Sequence, residues 1–174
     1  LGYRKLNLIL VPIYMQFRLI VRDTFEDYSL NNDFFPDENI EDIFVEYFEN
    51  TELNNITSNL NEINLILEDT YPKEKKQLPR NKQPLNMIKI TRNNGTDVTR
   101  VYNEHFVNSV INVVRKLSSE TVLNIYATTN PKHNLQIVKR AFSLADRGNI
   151  LNLYVFQQNT NNERMFDSKA KKIF

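Results

Sequence analysis

Hydrophobic and polar positions follow two different periods along residues 85–158. Three short apolar stretches, 85–91, 121–127 and 149–158, have the length and β-branched content typical of strands. Between them, apolar residues recur every three or four positions, which is the spacing of one helix face. These residues are Phe106, Val110, Val113 and Leu117 in the first segment, and Leu135, Val138, Phe142 and Ala145 in the second. The pattern predicts strand, helix, strand, helix, strand, and therefore an α/β fold with helices packed on a sheet.

Residues 6–21 are the most apolar run, and their pattern fits both a strand and a helix. Pro12 favours a short strand over 5–11 followed by a helix. The run is too short for a membrane span and contains Gln16 and Arg18, and no small-residue cleavage site of a signal peptide follows it. We therefore expect burial in the core and no membrane partner.

Two more helices are predicted before residue 70. Ile40, Phe44, Tyr47 and Phe48 would share one face of a helix that begins near Asp37. A second apolar seam repeats at three, four, three and four residues, through Leu53, Ile56, Leu60, Ile63 and Leu67. About four turns are too short for a stable free coiled coil, so this seam should dock on another surface. That surface is either the chain's own core or a protein partner.

Residues 72–84 have the composition of a linker. Pro72, Pro79 and Pro84 disfavour a helix, and the charges of five cations disfavour burial. The cations, Lys73, Lys75, Lys76, Arg80 and Lys82, could contact phosphates or could simply be solvated. The sequence thus predicts an acidic, mainly helical region over 1–71, a basic linker over 72–84, and an α/β domain with a basic tail over 85–174.

The net charge of +1 hides two opposite halves. Residues 1–71 carry four Lys and Arg against fourteen Asp and Glu, a net of −10, whereas residues 72–174 carry eighteen against seven, a net of +11. Such a split indicates a polyanion-binding part beside an acidic part. The alternative is that the two halves neutralise each other inside the protein.

Residues with catalytic or cofactor chemistry are scarce. The chain has no cysteine, only His105 and His133 as histidines, and only three glycines, so a metal site and a phosphate-binding glycine loop are not expected. We expect no cofactor and no enzyme activity. Thr129, Asn130, Lys132 and His133, at the start of the second predicted helix, could hold a phosphate group.

Four segments resemble the Alba domain: 87–91, the helix end at Val113–Leu117, the strand at 122–127 and the helix at 132–147. Ala127, then Lys132, then the run from Ile137 to Arg140 is similar to the small residue, basic segment and basic helix of that family. The family includes chromatin and RNA-binding proteins and subunits of ribonuclease P and MRP. The resemblance implies a β-α-β-α-β two-layer sandwich that forms homodimers or heterodimers.

The leading functional hypothesis is therefore a non-catalytic, RNA- or DNA-binding subunit of a ribonucleoprotein complex, intracellular, in the nucleus or the cytoplasm. Its nucleic-acid contacts would come from Lys89, Arg92, Asn94, Lys132, His133, Lys139, Arg140, Lys169, Lys171 and Lys172. The alternative is a structural interaction protein whose partner interface is the seam from Leu53 to Leu67.

Overall fold

The computed structural model describes residues 11–21, 43–48, 61–92, 102–142, 152–159 and 163–173. In these ranges the strands are β1 (Ile43–Phe48), β2 (Glu62–Glu68), β3 (Asn86–Arg92), β4 (Val122–Ala127), β5 (Asn152–Phe156) and β6 (Lys171–Lys172). The helices are α1 (Ile13–Val21), α2 (Glu104–Lys116) and α3 (Pro131–Ile137), and α3 continues as a π-helical turn over Val138–Phe142. The protein is a mixed α/β structure, as the hydrophobic pattern predicted.

All six strands belong to one sheet, in the order β1-β3-β2-β4-β5-β6. The four central strands are parallel, and β1 and β6 are antiparallel edge strands. After β2, the next strand in sequence, β3, is added on one side of β2, and the following strand, β4, is added on its other side. The direction in which strands are added to the sheet therefore reverses between β2 and β4. This reversal is a topological switch point of an open α/β sheet.

Local sequence explains the helix starts. The Asn103 side chain caps α2 by accepting a hydrogen bond from the Phe106 N–H at 2.8 Å, and Asn130 caps α3 by accepting one from the His133 N–H at 2.9 Å. Pro131 stands at the first position of α3, where the missing N–H is not needed. The predicted end of this helix at Arg147 lies outside the described residues.

The two faces of the sheet are covered differently. Alternate side chains, such as Leu65, Ile88 and Leu153, face the three helices in the main core. The intervening residues form a second cluster against two irregular segments that supply Leu78 and Phe166. That cluster contains Ile66, Met87, Tyr126, Phe156, Leu78 and Phe166. The segment between β2 and β3 thus covers the face that the helices leave open.

The two helices predicted between residues 37 and 67 are wrong where the structure describes them. Phe44, Tyr47 and Phe48 lie on strand β1, and Ile63 and Leu67 lie on strand β2. Residues 64–68 of β2 are buried because β3 and β4 flank the strand and side chains cover both faces. A strand buried on both faces reads as a continuous apolar run, which spacing alone does not distinguish from a helix.

Other expectations fare differently. The helix predicted after Pro12 is confirmed as α1, whereas the strand predicted over 5–11 lies almost wholly outside the described residues. The expectation that residues 72–84 are unburied is wrong for Lys73 and Leu78, which are 5% and 0% exposed, and is confirmed for Lys75, Lys76 and Arg80. The Alba-like arrangement is not confirmed. Strand β2 precedes the segments that were compared with Alba, and in the sheet it lies between β3 and β4.

Candidate functional site at the carboxyl ends of the central strands

A buried polar cluster joins the carboxyl ends of β2 and β3 to the starts of α2 and α3. Asp69, directly after β2, places its Oδ1 2.7 Å from Nε of Arg92, the last residue of β3. Its Oδ2 lies 2.7 Å from Nδ1 of His133 and accepts the backbone N–H of Asn130 at 2.9 Å. The side chains of Asp69, Arg92 and His133 are fully buried. One carboxylate therefore fixes three chain segments at this edge of the sheet.

The hydrogen bonds of His133 determine its proton positions. Its Nε2 lies 2.8 Å from the backbone N of Asn103, whose N–H can only donate, so Nε2 accepts. The ring proton is then on Nδ1, where it faces Asp69. The rings of Tyr102 and Phe106 flank the imidazole, each with its centroid 5.2 Å away. A histidine enclosed in this way positions α2 and has no free nitrogen with which to move a proton.

Tyr102 and Glu104 extend this network toward the surface. Burial raises the pKa of Tyr102, and a hydrogen bond to Glu104 raises it further, so the hydroxyl keeps its proton and donates to that carboxylate. Glu104 also accepts from Nη1 of Arg140 at 2.5 Å. Burial by itself would raise the pKa of Glu104, but the hydrogen bonds from Tyr102 and Arg140 lower it. Arg140 is thereby tied to α2.

A cavity of about 410 Å³ opens beside this cluster, and we call it the carboxyl-end cavity. It is formed by residues that follow β2, β4 and β5 and by the start of α1. Its amide side chains are Gln16, Asn130, Gln157 and Gln158, and its hydroxyl side chains are Thr70, Tyr71, Thr128 and Thr129. The described residues that line it carry no charge. The cavity thus offers neutral hydrogen-bonding groups at the switch point of the sheet.

Internal hydrogen bonds hold the wall of the carboxyl-end cavity in place. Gln157 Oε1 accepts the N–H of Ile13 at 3.0 Å, which fixes the start of α1 to the end of β5. Gln16 accepts from Asn134 at 2.8 Å and donates to the carbonyl of Val11 at 2.8 Å. Thr70 donates to the carbonyl of Thr128 at 2.6 Å, which joins the segments after β2 and β4. The wall is therefore preorganised.

Comparison with protein families identifies the class of domain. A family model described as "SMODS- and Ubiquitin system-associated 2TM effector domain" matches residues 1–174, the whole sequence. The chain belongs to this family. No curated protein matches the sequence. The family's description contains the label 2TM, and among the described residues of this effector domain no helix is both long and apolar enough to cross a membrane.

The family assignment overturns the Alba resemblance and the RNA-binding function inferred from it. This chain is an effector domain and not an RNA-binding subunit of a ribonucleoprotein complex. The nuclear association inferred from the Alba resemblance loses its support as well. The helical segments compared with Alba do exist, but amphipathic helices that alternate with parallel strands occur in many α/β folds. Basic runs on such helices were not specific enough to identify a family.

The structure does not bring the predicted nucleic-acid residues into one surface. Arg92 and His133 are buried in the cluster around Asp69, while Lys89 and Arg140 pair with Glu68 and Glu104. Lys139, Lys169 and Lys172 are exposed, whereas Lys132 and Lys171 are half-buried. Lys171 and Lys172 lie on β6, with their Nζ atoms 5.6 Å and 6.0 Å from the ring centroids of Tyr14 and Tyr154. Asn94 lies outside the described residues.

The structure describes two residues of the predicted partner seam, Ile63 and Leu67. Ile63 is half-buried and Leu67 fully buried in the central strand β2, so neither is part of a docking helix. Leu53, Ile56 and Leu60 lie outside the described residues. Intramolecular packing, the first of the two alternatives, accounts for Leu67.

Sequence reasoning missed Asp69, Asn103 and Gln157, which organise the site. Asp69 belongs to the polar run Glu68-Asp69-Thr70 that follows an apolar segment. In an α/β fold, polar residues directly after a strand are candidates for the ligand-binding edge. The signal was present, but reading 53–67 as a helix concealed it.

Proposed function

We propose that this effector domain binds a small, uncharged polar ligand in the carboxyl-end cavity, and that ligand binding is part of its effector role. The observation that carries the proposal is the position of the cavity at the strand reversal between β2 and β4. Ligands of open α/β sheets bind outside the carboxyl ends of the strands at such a point. Its volume of about 410 Å³ lies in the usual range for ligand sites.

The lining favours a nucleoside or a sugar over a free phosphate. Amide groups supply both donors and acceptors. The hydroxyls of Thr70, Thr128 and Thr129 donate within the protein and can still accept. Such groups pair with a base edge or with sugar hydroxyls. A compact phosphate would need positive charge, which the described lining residues do not supply. Tyr71 adds a flat apolar surface to the wall. The guanidinium carbon of Arg164 lies 4.3 Å from the centroid of its ring.

A binding role is also better supported than a catalytic one. General acid–base catalysis needs a side chain with a nitrogen or oxygen free to exchange a proton. His133 has the aspartate partner of a catalytic histidine, but the Asn103 N–H occupies its other nitrogen. We therefore regard the aspartate–histidine pair as a support for the cavity wall.

Calorimetric titration of the full chain with adenosine, guanosine, uridine and glucose tests this function. We expect at least one of them to bind, and Gln158→Trp, which fills the cavity, to weaken that binding by about tenfold or more. Gln83→Trp is the matched control, because Gln83 is a half-buried glutamine on the segment between β2 and β3 and does not line this cavity. No binding by any compound, or equal binding by the Gln158→Trp protein, would refute the proposal.

A second role, binding of another copy of the same chain, is favoured by strand β1. Among the described strands it lies at the edge of the sheet, and its side chains of Phe44, Tyr47 and Phe48 are 40%, 60% and 48% exposed. Exposed edges with apolar side chains pair readily with another chain. We propose self-association through this edge, which sedimentation equilibrium would detect. Tyr47→Lys should then shift the protein toward the monomer, and an unchanged mass distribution would refute this role.

A further inference from the structure

A second cavity, of about 240 Å³, lies on the face of the sheet that the helices leave open. Its lining combines three lysines, Lys73, Lys75 and Lys89, with the apolar side chains of Phe48, Ile66, Leu85 and Met87. We call it the lysine cavity. It shares no lining residue with the carboxyl-end cavity, so it is independent of the ligand binding proposed there, although Phe48 also belongs to the exposed strand β1.

Lys73 is the unusual member of this set. The residue is only 5% exposed, and its Nζ forms no hydrogen bond with any described residue. The ring centroid of Phe166 lies 6.0 Å from Nζ, at the outer limit of a cation–π contact. Burying an ammonium group without a hydrogen-bonding partner is costly, and proteins normally provide an anion for it.

Glu68 lies among these cations, and Glu46 on β1 stands opposite Lys89 in the strand register. Glu68 accepts the backbone N–H of Lys73, and its Oε1 lies 3.1 Å from Nζ of Lys89. Lys75 forms no ion pair with a described residue, and the charge of Arg164 acts on Lys73 as well. The described surroundings of the cavity therefore carry more positive than negative charge, beside an apolar wall.

We propose that the lysine cavity binds a small organic anion with an apolar body, such as an alkyl or aryl carboxylate, and that Lys73 is its principal cationic contact. The apolar side chains would receive the body of the ligand, and the lysines would pair with its charged group. An inorganic anion would satisfy only the charge, and a neutral apolar compound only the wall.

Calorimetric titration of the full chain with octanoate, octanol and inorganic phosphate tests the proposal. We expect octanoate to bind, and the other two to bind about tenfold more weakly or not at all, since a hydrogen bond to a charged group accounts for about one decade of affinity or more. Lys73→Met keeps the length of the side chain and removes its charge, and it should weaken octanoate binding by about tenfold or more. Lys76→Met is the matched control, because Lys76 is exposed and does not line the cavity.

A spectroscopic readout separates direct contact from a general charge effect. In protein with labelled lysine side chains, octanoate should shift the signal of Lys73 and leave that of Lys76 unchanged. Burial, and then the charge of Arg164, lowers the pKa of Lys73 to about 8, although Glu68 raises it, and a bound anion should raise it again. Failure of octanoate to bind, equal binding by the Lys73→Met protein, or an unmoved Lys73 signal would each overturn the proposal.

Discussion

Asp69 and Arg92 form a fully buried ion pair, with 2.7 Å between Oδ1 and Nε, that ties the carboxyl end of β2 to that of β3. The other oxygen of the same carboxylate bonds to His133 and to the N–H of Asn130. The pair therefore lies at the point where two parallel strands and a helix start meet. Its loss should affect both the stability of the fold and the shape of the carboxyl-end cavity.

Replacing Arg92 with methionine should destabilise the protein strongly. The substitution leaves the Asp69 carboxylate buried without its cation, and such a change costs about 3–5 kcal/mol. Urea unfolding measures this loss. Lys89→Met is the control, because Lys89 also pairs with a carboxylate of the β2 end but is 22% exposed, so its removal should cost clearly less. An equal loss of unfolding free energy in the two variants would mean that burial does not make the Asp69–Arg92 pair more important for stability than the Glu68–Lys89 pair.

The two histidines should differ sharply in their effect on helix α2. His133→Leu removes the acceptor of the Asn103 N–H and the donor to Asp69, which should cost about 1–3 kcal/mol and leave the Asn103 amide less protected. His105→Leu changes an exposed residue of the same helix and should stay within about 0.5 kcal/mol. Hydrogen exchange at Asn103 provides the measurement. Unchanged protection in the His133→Leu protein would contradict the acceptor role of Nε2.

The carboxyl-terminal elements could be predicted because their signals are local. Asn130-Pro131 starts a helix by its own chemistry, and the apolar residues of α2 keep one helix face over the whole element. The position of β2 is not local. Its residues Ile63, Leu65 and Leu67 alternate as in a strand, but Ile63 and Leu67 also fit the helical spacing that begins at Leu53. Only pairing with β3 and β4, which are distant in sequence, selects the strand.

The charge split illustrates the same limit. Acids of the first 71 residues pair with bases of the remainder, as Glu62 does with Lys82, Glu68 with Lys89, and Asp69 with Arg92. Internal neutralisation was one of the two alternatives that the sequence left open. The choice between them depends on which strands are neighbours. For the same reason, the sequence did not reveal that Asp69, Arg92 and His133 meet.

Leu78 tests whether the segment between β2 and β3 belongs to the core. It is fully buried against Ile66 and Met87, so Leu78→Ala should lower the free energy of unfolding by about 2–5 kcal/mol. Pro84→Ala changes an exposed residue of the same segment and serves as the control. A freely solvated linker would make both substitutions neutral.

A truncation that begins near Leu78 should aggregate, because it removes the central strand β2.

The charge of Lys73 should make stability depend on pH in an unusual direction. Its pKa is about 8 in the folded protein and takes the ordinary value of 10.5 in the unfolded chain. Below pH 8 both states are protonated, and the cost of burying the charge is present in full. Between about pH 8 and 10.5 the folded state releases the proton while the unfolded state keeps it, so this group's contribution to the free energy of unfolding rises with pH.

Lys73→Met should therefore stabilise the protein at pH 7, by about 1 kcal/mol once solvent screening is allowed for, because methionine fills similar space without a charge. The advantage over the original protein should shrink as the pH rises from about 8 to 10.5, and urea unfolding across that range measures it. Lys76→Met, at an exposed position in the same segment, should produce no comparable gain. An advantage that grows with pH, or a loss of stability at pH 7, would show that the folded protein already compensates the Lys73 ammonium, and the anion site proposed around it would lose its physical basis.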